Sequence, residues 1–433
     1  MTPAPAPVLS ETAAALCLVL ILLVPCAGAG LAMMNVGLGR SRNAAHSMLS
    51  ALCVLSSAAL VYVAIGFAWQ GYLGEPGRAF SVNGKLWNWI ASERFLLRGL
   101  DFDASPAALA VLFGIFSVGL AAIIPLGSGA DRWRIGAACA STAILAGWTY
   151  PLFAHWVWSG GWLAQLGQNY GLGRGLLDSG GAGAIQAVGG LTALSVTWLL
   201  GPRRGKYTPE GMPMALPGHH AVLVLFGCFL AWLGWLGLNS AGAILFTGVP
   251  PARAPLISVN TTLAAMSAAL AAAAITRGRF GKTDASLCAN GWVGGLVASS
   301  AGCAFIRPAA AVLIGVIAGV LVIYSIEWLE LHLTVDDPSG AISVHAIGGI
   351  WGLLAVAIFA QISEPGQWMA QLAGVATLLG FILPLSYGLN WLLNRFYSLR
   401  VEPEGERQGL DLHELGAGAY PDFMTHNDDL WQR

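Results

Sequence analysis

Long apolar stretches separated by short polar loops leave this chain few folds to choose from. A helix needs about 20 apolar residues to cross a hydrocarbon core of roughly 30 Å. About eleven such segments lie near 12–37, 45–69, 105–127, 135–158, 180–201, 219–240, 255–276, 286–304, 309–330, 341–362 and 369–394. The spacing predicts an all-α integral membrane protein of about eleven transmembrane helices, with residues 1–397 as the membrane domain and 398–433 as a cytoplasmic tail. Composition agrees: 56% of residues are hydrophobic and only 10% charged, far from a soluble domain. The first segment lacks a basic region ahead of it and is long enough to span, so it reads as an uncleaved first helix rather than a signal peptide.

Basic residues follow the odd-numbered segments: Arg40 and Arg42, Arg132 and Arg134, Arg203, Arg204 and Lys206, Arg277, Arg279 and Lys282, and Arg395 and Arg400. Cytoplasmic loops carry the excess of Lys and Arg, which predicts the N-terminus outside and the C-terminus inside. The loop after the ninth segment carries neither, and its neighbours outvote it. These short basic loops do not form the clustered surface that nucleic acid requires. The seven cysteines stand singly, without a CxxC spacing, so neither a disulfide framework nor a zinc site is implied. His219 and His220 are adjacent rather than four apart and read as interfacial. No nucleophile and base pairing, phosphate loop or metal spacing points to an enzyme. Glycine, with 56 residues, recurs at helical spacing and reads as close helix packing in lipid.

One internal repeat stands out. The segment DSGGAGAIQAVGGL (178–191) returns as DPSGAISVHAIGGI (337–350), with six of fourteen positions identical and three more exchanging one aliphatic side chain for another. The eighth residue after the Asp is Gln186 in one copy and His345 in the other. Under the predicted topology the copies enter the membrane from opposite faces, as in transporters built from an inverted repeat, here spans 1–5 and 6–10. Eight helical residues rise about 12 Å, so both polar side chains are expected to reach near the middle of the core and to meet there. Each Asp is placed to cap its helix, and Asp178 also offers negative potential at the outer mouth of a polar pathway.

These residues resemble the ammonium transporter family (Amt/Mep/Rh) over almost the whole chain. The resemblance is carried by GLGRSRNAAHSM (37–48), GADRWR (129–134), YPLFAHWVWSGGWLA (150–164), LDSGGAGAIQ (177–186), GWLGLNSAG (234–242), VDDPSGAISVHAIGGIWG (335–352) and GLDLHELGAGAY (409–420). It implies trimers of eleven-helix protomers in the cell membrane, plasma or inner, each protomer with its own narrow pore for ammonium or ammonia. It implies no cofactor and no metal, and a cytoplasmic regulatory protein of the PII type as a partner. Trp158 and Phe113 match aromatics around an outer recruitment site, where ring faces attract a dehydrating cation. Asp178 matches the acid behind that site, and His155 reads as structural. Phe116 is a second candidate for the gate, although an ungapped alignment puts Ser117 there.

His345 and Gln186 match a pair of pore histidines, of which this chain keeps one. Two imidazoles in contact can accept, donate and relay a proton, whereas an amide hydrogen-bonds without titrating near neutral pH. Leu238 stands where an inner gate phenylalanine is usual, and Gly242 where a serine often holds the recruited ammonium. In the tail, ELGAGAY lacks the histidine and second acid that commonly follow the GLD motif. A channel-like ammonium transporter is the leading reading, and an ammonium-binding receptor of the same fold with little transport is the alternative.

Overall fold

The computed structural model describes residues 9–72, 77–102 and 105–420; the last part of the expected tail, 421–433, lies outside the described residues. Among these, ten helices are long and apolar enough to cross a membrane. They are α1 (Glu11–Leu38), α2 (Ser41–Gln70), α3 (Pro106–Ser128), α4 (Ile135–Trp158), α5 (Ala182–Leu200), α6 (Ala221–Phe246), α7 (Pro251–Phe280), α9 (Pro308–Leu333), α10 (Ile342–Phe359) and α11 (Gln367–Phe396). Between α7 and α9 lies α8 (Ala285–Ser299), a shorter helix of 15 residues packed on both neighbours. Expected as a full segment over 286–304, it gives way to turns after Ser300, where its run of glycine and serine no longer holds the helix.

The helix ends follow from their residues. Ser10 caps α1 by accepting the Ala13 N–H at 3.3 Å, and Ser105 caps α3 by accepting that of Ala108 at 3.1 Å. Pro106 and Pro308 occupy first-turn positions, where no backbone N–H is needed. Between α2 and α3 the chain forms a two-stranded antiparallel hairpin, β1 (Gly77–Val82) and β2 (Lys85–Ala91), which no apolar periodicity announced. Its aromatic residues pack on the loop after α4, Trp89 stacking on Trp162 with centroids 5.8 Å apart.

The opposite end of the bundle is tied by charge. Arg203, just past α5, forks onto Asp336, just before α10, through Nε at 2.9 Å and an Nη at 3.0 Å, and its other Nη meets Asp131 at 3.0 Å. Arg132, fully buried, donates to the Gly201, Ala130 and Asp336 carbonyls at 2.8, 2.9 and 2.8 Å. These bonds satisfy carbonyls in the loops that flank α3, α5 and α10, which no regular helix bond takes up. The tail joins the same face. Asp411 accepts the His46 and Ala45 N–H groups at 2.7 and 3.2 Å, so a residue near the end of the chain caps the start of α2. Glu406 accepts from the Arg204 N–H and from Arg400, both at 2.7 Å.

The buried acids set a pH-dependent contribution to stability. Burial alone would raise the Asp131 and Asp336 carboxyls, but the Arg203 guanidinium and neighbouring donors outweigh it and hold both below the ordinary carboxylate range. Their contribution is therefore present at neutral pH and lost only as pH falls through those lowered values. Arg203→Ala removes the nearest partner of two buried carboxylates, leaving Asp336 only Arg132 at 3.9 Å and Asp131 only Arg40 at 4.0 Å as charge partners, a loss of up to about 3–5 kcal/mol. We expect the variant to melt well below wild type in detergent at pH 7. The gap should narrow toward pH 4.5 as the stranded carboxylates take up protons; a gap that is small, or constant across that range, would show that the cluster is not under this control.

Candidate functional site

The site begins at the two repeated Asp residues. Asp178 accepts the Gly183 and Ala184 N–H groups at 2.9 and 2.8 Å, and Asp337 accepts that of Ile342 at 2.7 Å. Three residues past each Asp a glycine turns the chain through positive φ, +85° at Gly181 and +70° at Gly340, a region that other side chains resist. Each helix then opens with one π-helical turn, Ala182–Ala187 and Ile342–Ile347. Such turns carry an extra residue and interrupt regular packing.

The two helices run antiparallel. The C-terminal side of α5 is bound to the N-terminal side of α10 through Arg203 and Asp336, and Arg174, ahead of α5, meets Glu364, beyond α10, at 2.9 Å. They cross at two glycines, each one turn beyond the polar position. A Cβ at Gly190 would strike the backbone of Ala346 and His345, and one at Gly349 would strike the Ala182 carbonyl. Backbone therefore meets backbone, and the π-turns come together. His345 Nδ1 lies 2.8 Å from Gln186 Oε1, both side chains buried. With the amide oxygen accepting, the imidazole is the donor. The other amide end, Gln186 Nε2, is buried without a protein partner among the described residues. His345 also lines a small cavity of about 20 Å³, room for about one water, together with Leu31, Met34 and Ile124 and, among polar side chains, Asn35, Asn290 and Ser339.

On the hairpin side, Trp158 and Phe113 come together, ring centroids 5.8 Å apart at 76°. Trp158 donates its indole N–H to the Asp178 carbonyl oxygen at 2.7 Å, which ties the aromatic group to the head of α5. The Asp178 carboxylate is buried behind this group rather than open at a mouth, and one of its oxygens is committed to the helix cap. His155 holds the hairpin in place, with Nδ1 2.7 Å from the Gln70 carbonyl and Nε2 3.2 Å from Asn88 Oδ1. Leu238 is fully buried on α6.

Two placements differ from the sequence expectation. Phe116 does not join the aromatic group. It is half-buried at the edge of the core, while Ser117, one position on along α3, is fully buried. In its stead comes Phe246, stacked on Trp158 with centroids 4.6 Å apart and planes 10° apart, and edge-on to Phe113 at 5.3 Å. The sixth segment was expected to stop near 240; α6 continues to 246, and that extra turn delivers the ring. The apolar run AGAILF was the available signal. Gly242 also finds a reason here, since a Cβ at this position would run into the Ser179 carbonyl oxygen.

Comparison with known proteins finds relatives along nearly the whole chain. The model described as the Ammonium Transporter Family matches residues 15–420. Ammonium transporter Amt2 of Archaeoglobus fulgidus is 36% identical over 422 residues, covering 92% of this chain and 86% of that protein. Ammonium transporter 1 member 1 of Solanum lycopersicum is 31% identical, covering 88% and 82%. Among solved structures, one titled Sensor Amt Protein superposes with a TM-score of 0.83 at 29% identity, covering 93% of this chain and 97% of that one. Mep2 of Candida albicans superposes at 0.73 with 22% identity, a likeness of fold, covering 93% and 90%.

The crossing glycines generate a test. Gly190→Ala and Gly349→Ala each force a methyl group into facing backbone, an overpacking cost of about 1–3 kcal/mol. Each should lower the melting temperature, whereas Gly278→Ala, where a Cβ meets nothing within 4 Å, should not. Equal melting of all three would show that the helices do not cross here.

Proposed function

The chain belongs to the ammonium transporter family, and from that premise we propose that it conducts ammonium across the cell membrane as ammonia and a proton moving by separate routes. It is an all-helical, multi-pass membrane protein. In this reading α8 crosses as an eleventh span, the N-terminus lies outside and the tail inside, and spans 1–5 and 6–10 are inverted repeats. The protomers assemble as trimers in the plasma or inner membrane, with a PII-type protein as a candidate cytoplasmic regulator. The antiparallel, Asp-capped helices α5 and α10 support the inverted arrangement.

The observation that carries the functional reading is the His345–Gln186 hydrogen bond at the crossing of those helices. An ammonium ion cannot cheaply carry its charge into a passage walled by Leu31, Met34 and Ile124. It gives up its proton near the aromatic group of Trp158 and Phe113 to the Asp178 carboxylate, whose Oδ1 is not used by the helix cap, and neutral ammonia passes the polar pair. His345 can bind and release a proton; Gln186 can only orient and hydrogen-bond. The pair keeps a polar lining and half of a proton relay. Leu238, smaller than a phenylalanine, lowers the steric barrier to other cations.

A second reading has its own support. Trp158 is covered by Phe246, the relay is reduced to one titratable group, and the structure titled Sensor Amt Protein is similar over nearly its full length. In that reading the protein binds ammonium and passes little current.

Proteoliposomes given an ammonium pulse separate the two. If transport is right, wild type gives a current, Gln186→His raises it several-fold by restoring a second imidazole, and His345→Gln lowers it. A silent wild type that still binds ammonium would establish the receptor reading instead. A strong wild-type current unchanged by Gln186→His would remove the relay argument and leave the transport reading standing.

A further inference from the structure

We infer that Phe246 is a self-ligand of the aromatic recruitment site, a plug that occupies the face of Trp158 and must be displaced before a cation can bind there. The inference rests on the reading of Trp158 as a cation site given above.

Spacing carries the argument. This chain contains its own measure of how a primary ammonium sits on a ring, because Lys85 Nζ stands 3.4 Å from the centroid of Tyr170. A cation held between two parallel rings would need twice that spacing, close to 7 Å. Phe246 and Trp158 are 4.6 Å apart and within 10° of parallel, so they are in contact with each other and leave no room between them. The remaining surface of the tryptophan offers no alternative, since the residue is 1% exposed and Phe113 is 0% exposed. Phe246, at 9%, is the outermost of the three rings.

The attachment of Phe246 suits a displaceable group. It is the last residue of α6; Thr247 leaves the helical conformation and Gly248 follows at φ +63°, with nothing near its Cα that a side chain would touch. The turn is held from one side by Tyr72, which donates its hydroxyl to the Leu245 carbonyl at 3.1 Å and meets the Phe246 ring edge-on at 6.2 Å. A stacked aromatic pair and a cation over an aromatic face are attractions of similar size. Exchange of one for the other is therefore accessible, and the ring taxes apparent affinity in proportion to the time it stays seated. Position 242 reinforces this. With Gly there, this position of α6 offers no side-chain acceptor to a cation seated on Trp158.

A cage made of the same three rings predicts the opposite response to mutation, which makes the inference testable. Methylammonium binding to the purified full chain and ammonium-evoked current in proteoliposomes would be measured for wild type, Phe246→Ala, Phe246→Leu, Trp158→Ala and the Phe246→Ala/Trp158→Ala double variant, with melting temperatures as the folding control. If Phe246 is a plug, Phe246→Ala tightens methylammonium binding and lowers the half-saturating ammonium concentration several-fold. Phe246→Leu shows a smaller gain, and both gains vanish in the double variant. Weaker binding in Phe246→Ala, with Trp158→Ala also weaker, would overturn the plug and make Phe246 a member of the cage. A responsive wild type with an unchanged Phe246→Ala overturns the plug alone. If wild type, Phe246→Ala and Phe246→Leu are all silent in binding and current, the plug and the recruitment reading fall together.

Discussion

Two helix beginnings have to be stabilised inside an apolar bundle, and the rest of the site depends on how this is done. The first backbone N–H groups of any helix lack intrahelical partners, and in a low-dielectric interior each unpaired one is costly. Asp178 and Asp337 answer this by accepting those N–H groups directly. Five of the six positions that are identical between the two copies, all but Gly189 and Gly348, now have a common explanation. Asp178 and Asp337 cap; Gly181 and Gly340 make the positive-φ turn into the helix; Gly190 and Gly349 permit the crossing. Ala182, Ala187 and Ala346 supply the backbone that those two glycines touch. The internal repeat preserves what builds the crossing and leaves the position of chemistry free to diverge. That is why the copies agree around Gln186 and His345 and disagree at them.

The charged end of the bundle obeys the same rule with different groups. Basic residues read from the sequence as markers of a cytoplasmic face are used in the structure as hydrogen-bond hubs. Arg132 satisfies three carbonyls and Arg203 bridges two carboxylates. Because Arg203 follows α5 and Asp336 precedes α10, the cluster fixes the two halves of the crossing relative to each other from below. The tail reaches the same scaffold through Asp411 at the head of α2 and Glu406 on Arg204 and Arg400. A movement of the tail is thereby linked to the loops that hold the crossing helices.

How much of this was legible in the sequence depends on the range of the interaction responsible. Helix positions were, because apolar length is a local property: the segments read at 135–158 and 309–330 correspond to Ile135–Trp158 and Pro308–Leu333. The meeting of Gln186 with His345 was legible only because a repeat of opposite direction supplied a symmetry argument. Where no such argument existed, sequence reasoning stopped short. The hairpin at 77–91 was signalled only by its Asn83-Gly84 turn, both residues at positive φ, a cue that apolar length does not register, and Phe116 and Ser117 are distinguished by helix rotation that spacing alone did not settle. Phe246 was missed because its role depends on one additional turn of α6 and on a tryptophan 88 positions earlier in the chain. The partners of Arg203 are likewise distant, 72 and 133 residues away, and nothing local announces them.

The two sides of the crossing are finished differently, and this bears on what the unequal pair can do. Toward the hairpin, three aromatic rings are packed against one another over the head of α5. Toward the tail, a void large enough for about one water sits beside His345 among aliphatic side chains, with Asn35, Asn290 and Ser339 also in its wall. His345 lines that void and Gln186 does not. Gln186, nearer the head of the helix capped by Asp178, holds the imidazole by its oxygen and cannot pass on a proton. Placing the single titratable member on the cavity side makes the pair directional. Ammonia arriving past the aromatic rings meets an amide first and an imidazole second, so that in the proposed route reprotonation belongs to the tail side of the crossing.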